Sequence, residues 1–339
     1  MGGEMRIEKV AVPDALGTIL MHNIADERGG VAVKKGVRLS EGHLAQLAAA
    51  GHTEVEVAIL EASDVHEDEA AAALAGALLA DHLAASRPAG GRANLRALVD
   101  SLLEVDAGRL LELNMIPGIG VGTRRPHTVA GPNQESDNVA TVKIIPFALP
   151  RARLEQATAL AQQRPGILEL RPLQPGRRVT MLLVGEPSVQ DGLAAGYVPA
   201  TLARLERLTG RLEVVERVVQ EEGAIGQAAG RLIEQADLLL IAGQTSVMDE
   251  DDTTLRALRA AGAEGVVSGA PVEPGNMLAL AYLRGKPVLC LPACAKGPKR
   301  NVVDLVLPRL LLGDRLERRD IAALGLGGFL TAGERGSAP

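Results

Sequence analysis

The C-terminal half of the chain alternates short apolar runs with longer helical patterns, and this alternation restricts the fold more than any other feature. The apolar runs are too short for buried helices, whereas the segments between them are long enough for several helical turns. Such alternation is typical of a parallel sheet covered by helices on both faces. We therefore predict an α/β fold with a three-layer, parallel-sheet domain at the C-terminus, preceded by smaller α+β segments. The predicted strands are Val179–Val184, Leu212–Val218, Leu238–Ile241, Gly265–Val267 and Val288–Leu291, and the predicted helices are Gly192–Leu208, Ala224–Gln235, Thr253–Ala261 and Lys299–Leu312.

The residues before this domain have a more irregular pattern with identifiable boundaries. Ser40 is a favourable N-cap and Gly51 a favourable helix stop, so a helix is predicted between them. Pro172, Pro175 and Gly176 mark the boundary before the α/β domain. The predicted organisation is a small α+β N-terminal segment at 1–62, a middle α+β domain of unassigned role at 63–178, the α/β domain at 179–330 and a flexible tail at 331–339.

Within the middle domain, helical patterns predict helices over Glu67–Ala85 and Ala107–Asn114. Gly118, Gly120 and Gly122 form a glycine run that lacks the strand–turn–helix context of a dinucleotide site, and we predict a loop there.

Composition excludes several classes of function. The 339 residues include two Phe, two Tyr and no Trp, so the core must be aliphatic. The aromatic side chains on which single-stranded nucleic acids stack are almost absent. The formal net charge is −6, and no basic excess is available to neutralise a phosphate backbone. We expect no nucleic-acid partner, and any anionic ligand must be bound by a local cluster of charges.

The expected compartment is the cytoplasm. Cys290 and Cys294, the only cysteines, cannot form a disulfide framework. The first twelve residues carry charges where a signal peptide would be apolar, and no apolar run approaches the ~20 residues of a membrane span. We expect no membrane association.

In open α/β sheets, ligands bind beyond the carboxyl ends of the strands. Four loops follow the predicted strands there, and we expect them to share one edge of the sheet. We name them loop A (185–188), loop B (242–252), loop C (271–277) and loop D (292–300).

Loop B combines a flexible backbone with hydroxyls and carboxylates. Gly243 lets backbone N–H groups approach a ligand, and Thr245 and Ser246 add hydroxyl groups. Asp249, Asp251 and Asp252 precede a predicted helix. They are either helix caps and dipole partners or ligands for Mg²⁺ between phosphates.

Loop D has the opposite charge. Lys296, Lys299 and Arg300 lie at the start of a predicted helix, where the dipole disfavours cations, so either they meet an anion or they form a solvated face. Cys294 is either a thiolate of lowered pKa beside these cations or a small packing residue, whereas Cys290 belongs to the core. The α/β domain has no His, which excludes His-based nucleophilic or zinc chemistry within it.

These loops resemble the molybdenum cofactor biosynthesis domain shared by molybdopterin molybdenumtransferases and molybdopterin adenylyltransferases. The resemblance covers 179–330, and the whole chain is most similar to stand-alone bacterial molybdopterin-binding proteins. Gln244, Met248 and Ala293 stand where those families have glycine, and Gly to Gln narrows the space beside the backbone. The matching stretches are Gly243-Gln-Thr-Ser-Val-Met-Asp249, Ala236-Asp237-Leu-Leu-Leu-Ile241, Pro274-Gly275-Asn276, Leu291-Pro292-Ala293-Cys294-Ala295, Val33-Lys-Lys-Gly36 and Val142-Lys-Ile-Ile-Pro-Phe147.

The resemblance implies a molybdenum cofactor biosynthesis protein that binds molybdopterin or its nucleotide adduct. As a transferase it would catalyse molybdenum insertion or nucleotidyl transfer, with Mg²⁺ and molybdate as further ligands. Asp249 and Asp252 would be catalytic, and Asp249, Asp251 and Asp252 would bind metal. The implied cofactor-binding residues are Gly185, Glu186, Gly243, Thr245, Ser246, Pro274, Gly275, Asn276, Pro292, Cys294, Lys296, Lys299 and Arg300.

Two alternatives stay open at this point. The substituted glycines favour a non-catalytic carrier or insertion chaperone that passes the cofactor to a molybdoenzyme. A nucleotide-binding sheet without a link to molybdenum is the other alternative. Relatives with this domain are dimers or trimers, which implies a homo-oligomer.

Overall fold

A computed structural model describes residues 5–25 and 30–330, so the predicted tail at 331–339 lies outside the described residues. The chain divides into two compact units. The N-terminal unit contains the described residues up to 126 together with 130–170. The C-terminal unit contains 127–129 and the described residues from 171 onward.

Short strands dominate the chain before residue 173. An antiparallel sheet of order β1-β5-β2 packs on α1, and a second sheet of order β10-β12-β8-β7 packs on α2. The helices are α1 (Glu41–Ala49), α2 (Glu67–Ala77), α3 (Ala107–Asn114) and α4 (Arg151–Ala161). The strands are β1 (Arg6–Ala11), β2 (Ile19–Leu20), β3 (Ile24–Ala25), β4 (Val31–Val33), β5 (Glu54–Ile59), β6 (Asp64–His66), β7 (Leu83–Ala85), β8 (Arg92–Ala97), β9 (Ser101–Val105), β10 (Ile119–Thr123), β11 (Val129–Ala130), β12 (Asn138–Ile144), β13 (Ala148–Pro150) and β14 (Leu168–Pro172).

Local sequence signals account for part of this unit. The Ser40 hydroxyl accepts the backbone N–H of His43 at the start of α1, and Gly51 follows the helix with φ +78°. The predicted helix at Ala107–Asn114 is confirmed as α3.

Two predictions for the middle segment are wrong. The helix from Glu67 ends at Ala77, and Leu83–Ala85 is a strand paired with β8. The glycine run is not a loop, because Ile119–Thr123 forms β10 beside β12. Buried Ile119 and Val121 alternate with the glycines, so burial of the apolar face outweighs the weak strand preference of glycine.

The C-terminal unit is a three-layer α/β structure, as predicted. Successive residues of β15 point to opposite faces of its six-stranded sheet: Met181 packs in the same cluster as α5 and α8, and Leu182 in the cluster with α6 and α7. The helices are α5 (Pro187–Arg207), α6 (Glu222–Glu234), α7 (Thr253–Ala260), α8 (Val303–Leu311) and α9 (Arg318–Ala323). The strands are β15 (Arg178–Val184), β16 (Arg211–Val218), β17 (Leu238–Gly243), β18 (Glu264–Ser268), β19 (Ala279–Leu283) and β20 (Lys286–Cys290), in the order β16-β15-β17-β20-β19-β18.

The sheet is mixed rather than fully parallel. β16, β15, β17 and β20 are parallel neighbours, but β19, which the sequence analysis missed, runs antiparallel to both β20 and β18. A two-residue turn at Arg284 and Gly285, both with positive φ, joins β19 to β20 as a hairpin. The parallel part contains the strands that carry loops A, B and D.

Candidate functional site

Direct hydrogen bonds join loops A, B and D at the carboxyl edge of the sheet, and loop C is bonded to the start of α8 beside them. Loops A and B are joined by the Glu186 N–H, which donates to Gln244 Oε1 at 3.1 Å. Loops B and D are joined by the Ala293 N–H, which donates to Ser246 Oγ at 3.2 Å. Loop C is tied to the segment after loop D by the Val302 N–H, which donates to Pro274 O at 3.2 Å. The expectation of one shared edge is confirmed for loops A, B and D.

Gln244 lies in the crevice between the ends of β15 and β17. The chain crosses here from one side of β15 to the other, and such a switch point is the usual ligand position in an open sheet. A Cβ added at Gly185 would lie 3.1 Å from Gln244 Cβ and 3.2 Å from its Oε1. The side chain of Gln244 therefore occupies part of the crevice and accepts the Glu186 N–H. Neither that space nor that donor is then available to a ligand.

The backbone of loop B folds tightly around Gly243. A Cβ at this position would lie 2.5 Å from the carbonyl oxygen of Thr245, so only glycine fits. Thr245 Oγ1 accepts a hydrogen bond from Gln220 Nε2 at 3.3 Å, which connects loop B to the residues after β16. The hydroxyls of Thr245 and Ser246 thus both hold neighbouring loops together.

The acids of loop B serve the local structure. Asp249 Oδ1 accepts the N–H of Asp251 at 2.8 Å, and Asp252 Oδ1 caps α7 by accepting the N–H of Thr254 at 2.8 Å. Arg256 donates to the carbonyl of Asp251, and Glu250 pairs with Arg318 at 3.6 Å. The capping role is confirmed for Asp252.

A metal site does not form at these acids. Among residues 5–25 and 30–330, no group of three or more His, Cys, Asp or Glu side chains is placed to hold a metal ion. The carboxylates of Asp249, Asp251 and Asp252 are hydrogen-bonded locally or point outward, so they do not converge as a preformed magnesium site. Their assignment as catalytic and metal-binding residues stays a prediction.

The helix after loop D starts later than predicted. It begins at Val303 instead of Lys299, and Ala293–Lys296 forms a single 3₁₀ turn whose N-cap is the buried Pro292. Lys296, Lys299 and Arg300 therefore do not open a helix, and the predicted conflict with a helix dipole is wrong.

Loop D is built around a buried arginine of α5. The Arg204 guanidinium, 8% exposed, pairs with Asp304, with Nε 3.0 Å from Oδ1. It also donates to the carbonyl oxygens of Ala295 at 3.0 Å, Gly297 at 3.1 Å and Lys299 at 3.4 Å. One side chain thus binds three carbonyl oxygens along loop D.

Asn301 completes this scaffold. Its side chain is fully buried, donates to the carbonyl oxygens of Lys299 and Cys294, and accepts the N–H of Val303 at the start of α8. Because the backbone of loop D is held from below, its exposed side chains project from a fixed platform.

The three cations of loop D have different surroundings. The stem of Lys296 packs against Gly196, and its ammonium lies 5.0 Å from the ring centroid of Tyr197. Burial raises the pKa of Tyr197 to about 12. Lys299 and Arg300 are exposed, and within the described ranges no side chain forms an ion pair with either of them.

Cys294 is half-buried, and this burial raises the pKa of its thiol. A raised pKa favours the packing role over a reactive thiolate. Cys290 is buried in β20, and burial raises its pKa to about 12, in agreement with the predicted core role.

Loop C closes the remaining side of the site. Gly275 has φ +129°, and a Cβ there would lie 2.4 Å from Val302 Cγ1, so Gly275 brings loop C against the start of α8. The carbonyl oxygen of Asn276 accepts the N–H of Ala270, the residue just before the loop. Loop C thus contributes backbone shape together with the carboxylate of Glu273.

Sequence reasoning missed Arg204, Asn301 and Gln220. Arg204 lies near Arg207 in a helical pattern, and the pattern does not distinguish a buried arginine from an exposed one. Asn301 lies inside the predicted helix Lys299–Leu312, so the sequence prediction gives it no role at a helix start.

In the described part of the chain, no helix combines the length and apolar character needed to cross a membrane.

Comparisons with known proteins give limited matches. Residues 9–59 match a domain of unknown function, DUF8806, and no curated protein matches the chain. Similar solved structures include the MoaB molybdopterin biosynthesis enzyme of Thermus thermophilus, with 21% identity, 41% of this chain and 98% of that chain covered, and a TM-score of 0.33.

Two further structures are similar at the same level. The MoeA molybdopterin biosynthesis protein of Pyrococcus horikoshii is 14% identical, with 94% of this chain and 76% of that chain covered and a TM-score of 0.30. The CinA protein of Thermoplasma acidophilum, of unknown function, is 15% identical, with 36% and 90% covered and a TM-score of 0.30. These values do not establish a shared activity.

Proposed function

We propose that the C-terminal unit binds molybdopterin, or its nucleotide adduct, at the carboxyl edge of its sheet and acts as a carrier or insertion chaperone. The choice of ligand rests on the resemblance of the loop motifs, and the carrier role rests on the geometry of loop D. In this proposal the protein is a cytoplasmic homo-oligomer that passes the ligand to a molybdoenzyme.

The proposal rests on two exposed cations of loop D that have no ion-pair partner among the residues the structure describes. Lys299 and Arg300 project from a backbone that buried Arg204 fixes, so a phosphate can bind without ordering the loop first. The Ser246–Ala293 contact holds loop B alongside. No Phe, Trp or Tyr belongs to loops A to D, so main-chain groups, hydroxyls and charges must hold the pterin.

Catalysis by a bound Mg²⁺ has less support than binding. The acids of loop B cap α7 or stabilise their own turn, and Gln244 fills the crevice at the switch point. Phosphoryl and nucleotidyl transfer depend on metal ions that neutralise developing charge. A carrier needs only the cationic platform, which is present.

The test is a titration of molybdopterin under anaerobic conditions into the wild-type protein and a Lys299→Gln, Arg300→Gln double variant. Loss of two charge-assisted contacts should weaken binding about 100-fold. Asp249→Asn should leave the affinity unchanged, and Arg319→Gln, at an exposed arginine of α9, is the control for removal of a positive charge outside loop D. Absence of binding by the wild type, or equal binding by the double variant, would refute the proposal.

Turnover separates the carrier from the enzyme. The wild-type protein is incubated with molybdopterin, ATP, Mg²⁺ and molybdate, and the products are separated by mass. We expect the ligand to be recovered unchanged. An adenylylated or molybdenum-loaded product would show that the chain is a transferase instead.

A further inference from the structure

The N-terminal unit carries an open groove on the outer face of the sheet formed by β10, β12, β8 and β7. Its volume is about 390 Å³, and it is widely open to solvent. Gly120 and Gly122 of β10 form its floor, and Lys143 and Ile145 border it. The opposite face of this sheet packs on α2 in the core of the unit.

The two glycines of the floor are not required by the fold. Neither has a positive φ, and a Cβ at Gly120 or Gly122 would meet its nearest neighbour at 3.8 Å, an ordinary contact. Glycine weakens a strand relative to other residues. Gly120 and Gly122 alternate with the buried residues Ile119 and Val121, so both glycines face outward. Because they have no side chains, they leave space above the backbone.

The side of the groove toward β8 is basic, because Lys143 lines the groove and Arg92 lies beyond it on β8. Lys143 is paired across the strands with Gly120 on one side and Arg92 on the other. Its ammonium donates to Gly90 O at 2.6 Å and lies 3.4 Å from Glu67, which holds it at the wall. Arg92 and Arg96 are exposed on the same face of β8, and neither has an ion-pair partner within the described ranges.

An added peptide strand does not fit this edge. The side chain of Asn114 accepts the N–H of Val121 at 2.7 Å and donates to its carbonyl oxygen at 3.0 Å. The backbone groups at the centre of β10, through which an added strand would pair, are therefore already used. The occupant must lie on the face of the sheet instead of extending its edge.

The wall that contains Lys143 continues with an apolar side chain two residues further along the chain. Ile145 is 66% exposed although it is a large aliphatic residue, and it lines the groove next to the glycine floor. A flat ring can lie on exposed peptide groups against this side chain, with van der Waals contact on both. Two strand spacings, about 10 Å, separate the glycines from Arg92, the length of a nucleoside monophosphate.

We propose that this groove binds a planar heteroaromatic molecule that carries a phosphate monoester. The ring lies on Gly120 and Gly122 against Ile145, and the phosphate meets Arg92 and Lys143. This site is separate from the carboxyl edge of the C-terminal unit and does not depend on the function proposed for that edge.

The test measures binding of AMP, GMP and FMN by calorimetry, with inorganic phosphate as a comparison. At least one of the three should bind to the full chain, and inorganic phosphate should bind more weakly because it lacks the ring. Gly122→Val should abolish this binding while the melting temperature stays equal or rises. Gly223→Ala, at an open position of α6, is the matched glycine control.

Arg92→Gln keeps the proposal testable if Gly122→Val does not fold. It should weaken binding about tenfold, whereas Arg319→Gln should not change it. The Lys299→Gln, Arg300→Gln variant should bind the same ligand normally, which separates this groove from the site of the proposed function. No binding of AMP, GMP or FMN, or binding that neither Gly122→Val nor Arg92→Gln reduces, would overturn the proposal.

Discussion

Loops B and D follow neighbouring parallel strands, meet at one edge and carry runs of opposite charge, yet they use their charges differently. In loop B, carboxylates accept backbone N–H groups of the same loop and of α7. In loop D, the backbone is held by Arg204 and Asn301 from other positions, and Lys299 and Arg300 project without a partner in the described ranges.

The difference shows that a charge run does not by itself indicate a binding site. The backbone of loop B is held by Arg256 and Arg259 of α7, and its own acids add the hydrogen bonds that form its turn. Arg204 and Asn301 hold the backbone of loop D, so the side chains of Lys299 and Arg300 are available to bind a ligand. The four predictions below test this contrast, from the largest expected effect to the smallest.

Arg204→Met should remove the scaffold of loop D. Asp304 and three carbonyl oxygens of loop D lose the hydrogen bonds from the guanidinium, and removing one partner of a buried pair costs about 3–5 kcal/mol. The expected results are a lower free energy of unfolding in urea and weaker molybdopterin binding. Hydrogen exchange should accelerate in 294–302.

Arg319→Met is the control for this prediction, since Arg319 is an exposed arginine without an ion pair in the described ranges. If Arg204→Met lowers the free energy of unfolding no more than Arg319→Met does, Arg204 does not hold loop D in place. Unchanged hydrogen exchange in loop D would lead to the same conclusion.

Asp314→Asn tests a carboxylate whose charge, unlike those of loop B, is paired by two arginines. Partial burial raises the pKa of Asp314, but hydrogen bonds from Arg171 at 2.7 Å and Arg309 at 3.1 Å outweigh it and lower the pKa below 3.8. Because the folded-state pKa is depressed, this stabilisation is present at neutral pH and is lost as the pH falls below about 4.

The Asn variant should therefore be less stable than wild type at pH 7 by about 1.5–3 kcal/mol, and the difference should shrink at acidic pH. Urea unfolding at pH 7 and at pH 3 measures both values. A difference that is the same at the two pH values would show that the ionised carboxylate is not what the arginines stabilise.

The sequence predicted those parts of the fold that depend on local signals. The strand and helix alternation predicted the α/β layers, and the Ser40 and Asp252 caps lie where predicted. The antiparallel strand Ala279–Leu283 was missed because a short apolar run fits a strand or a buried helix equally well. Its hairpin partner, and not its own pattern, decides its structure.

For the site, residue type and chain position predicted which loops meet but not how each charge is used. The roles of Lys296, Lys299 and Arg300 depend on where α8 begins, and the buried Asn301 shifts that start to Val303. The role of Gln244 depends on a contact with Glu186, 58 residues earlier in the sequence. Such long-range contacts leave no periodic signal in the sequence.

Asp252→Ala should show that the acids of loop B stabilise structure. Loss of the N-cap of α7 should cost about 1 kcal/mol, because the Thr254 N–H loses its acceptor. Molybdopterin affinity should stay the same, and Asp252→Asn, which can still cap, should restore most of the stability. Weaker molybdopterin binding by Asp252→Asn would instead indicate that the charge contacts the ligand.

Lys296→Met should separate the cations of loop D from one another. The ammonium of Lys296 lies on the Tyr197 ring, and an exposed cation–π contact contributes about 0.5–1 kcal/mol, so stability should fall slightly. Lys299→Met, without such a contact, should leave stability unchanged and reduce molybdopterin affinity more than Lys296→Met does. Urea unfolding and the same titration measure both effects. If Lys296→Met were the more damaging change for binding, the phosphate would meet the cation beside Tyr197, and the division of loop D into a structural and a ligand-binding part would be wrong.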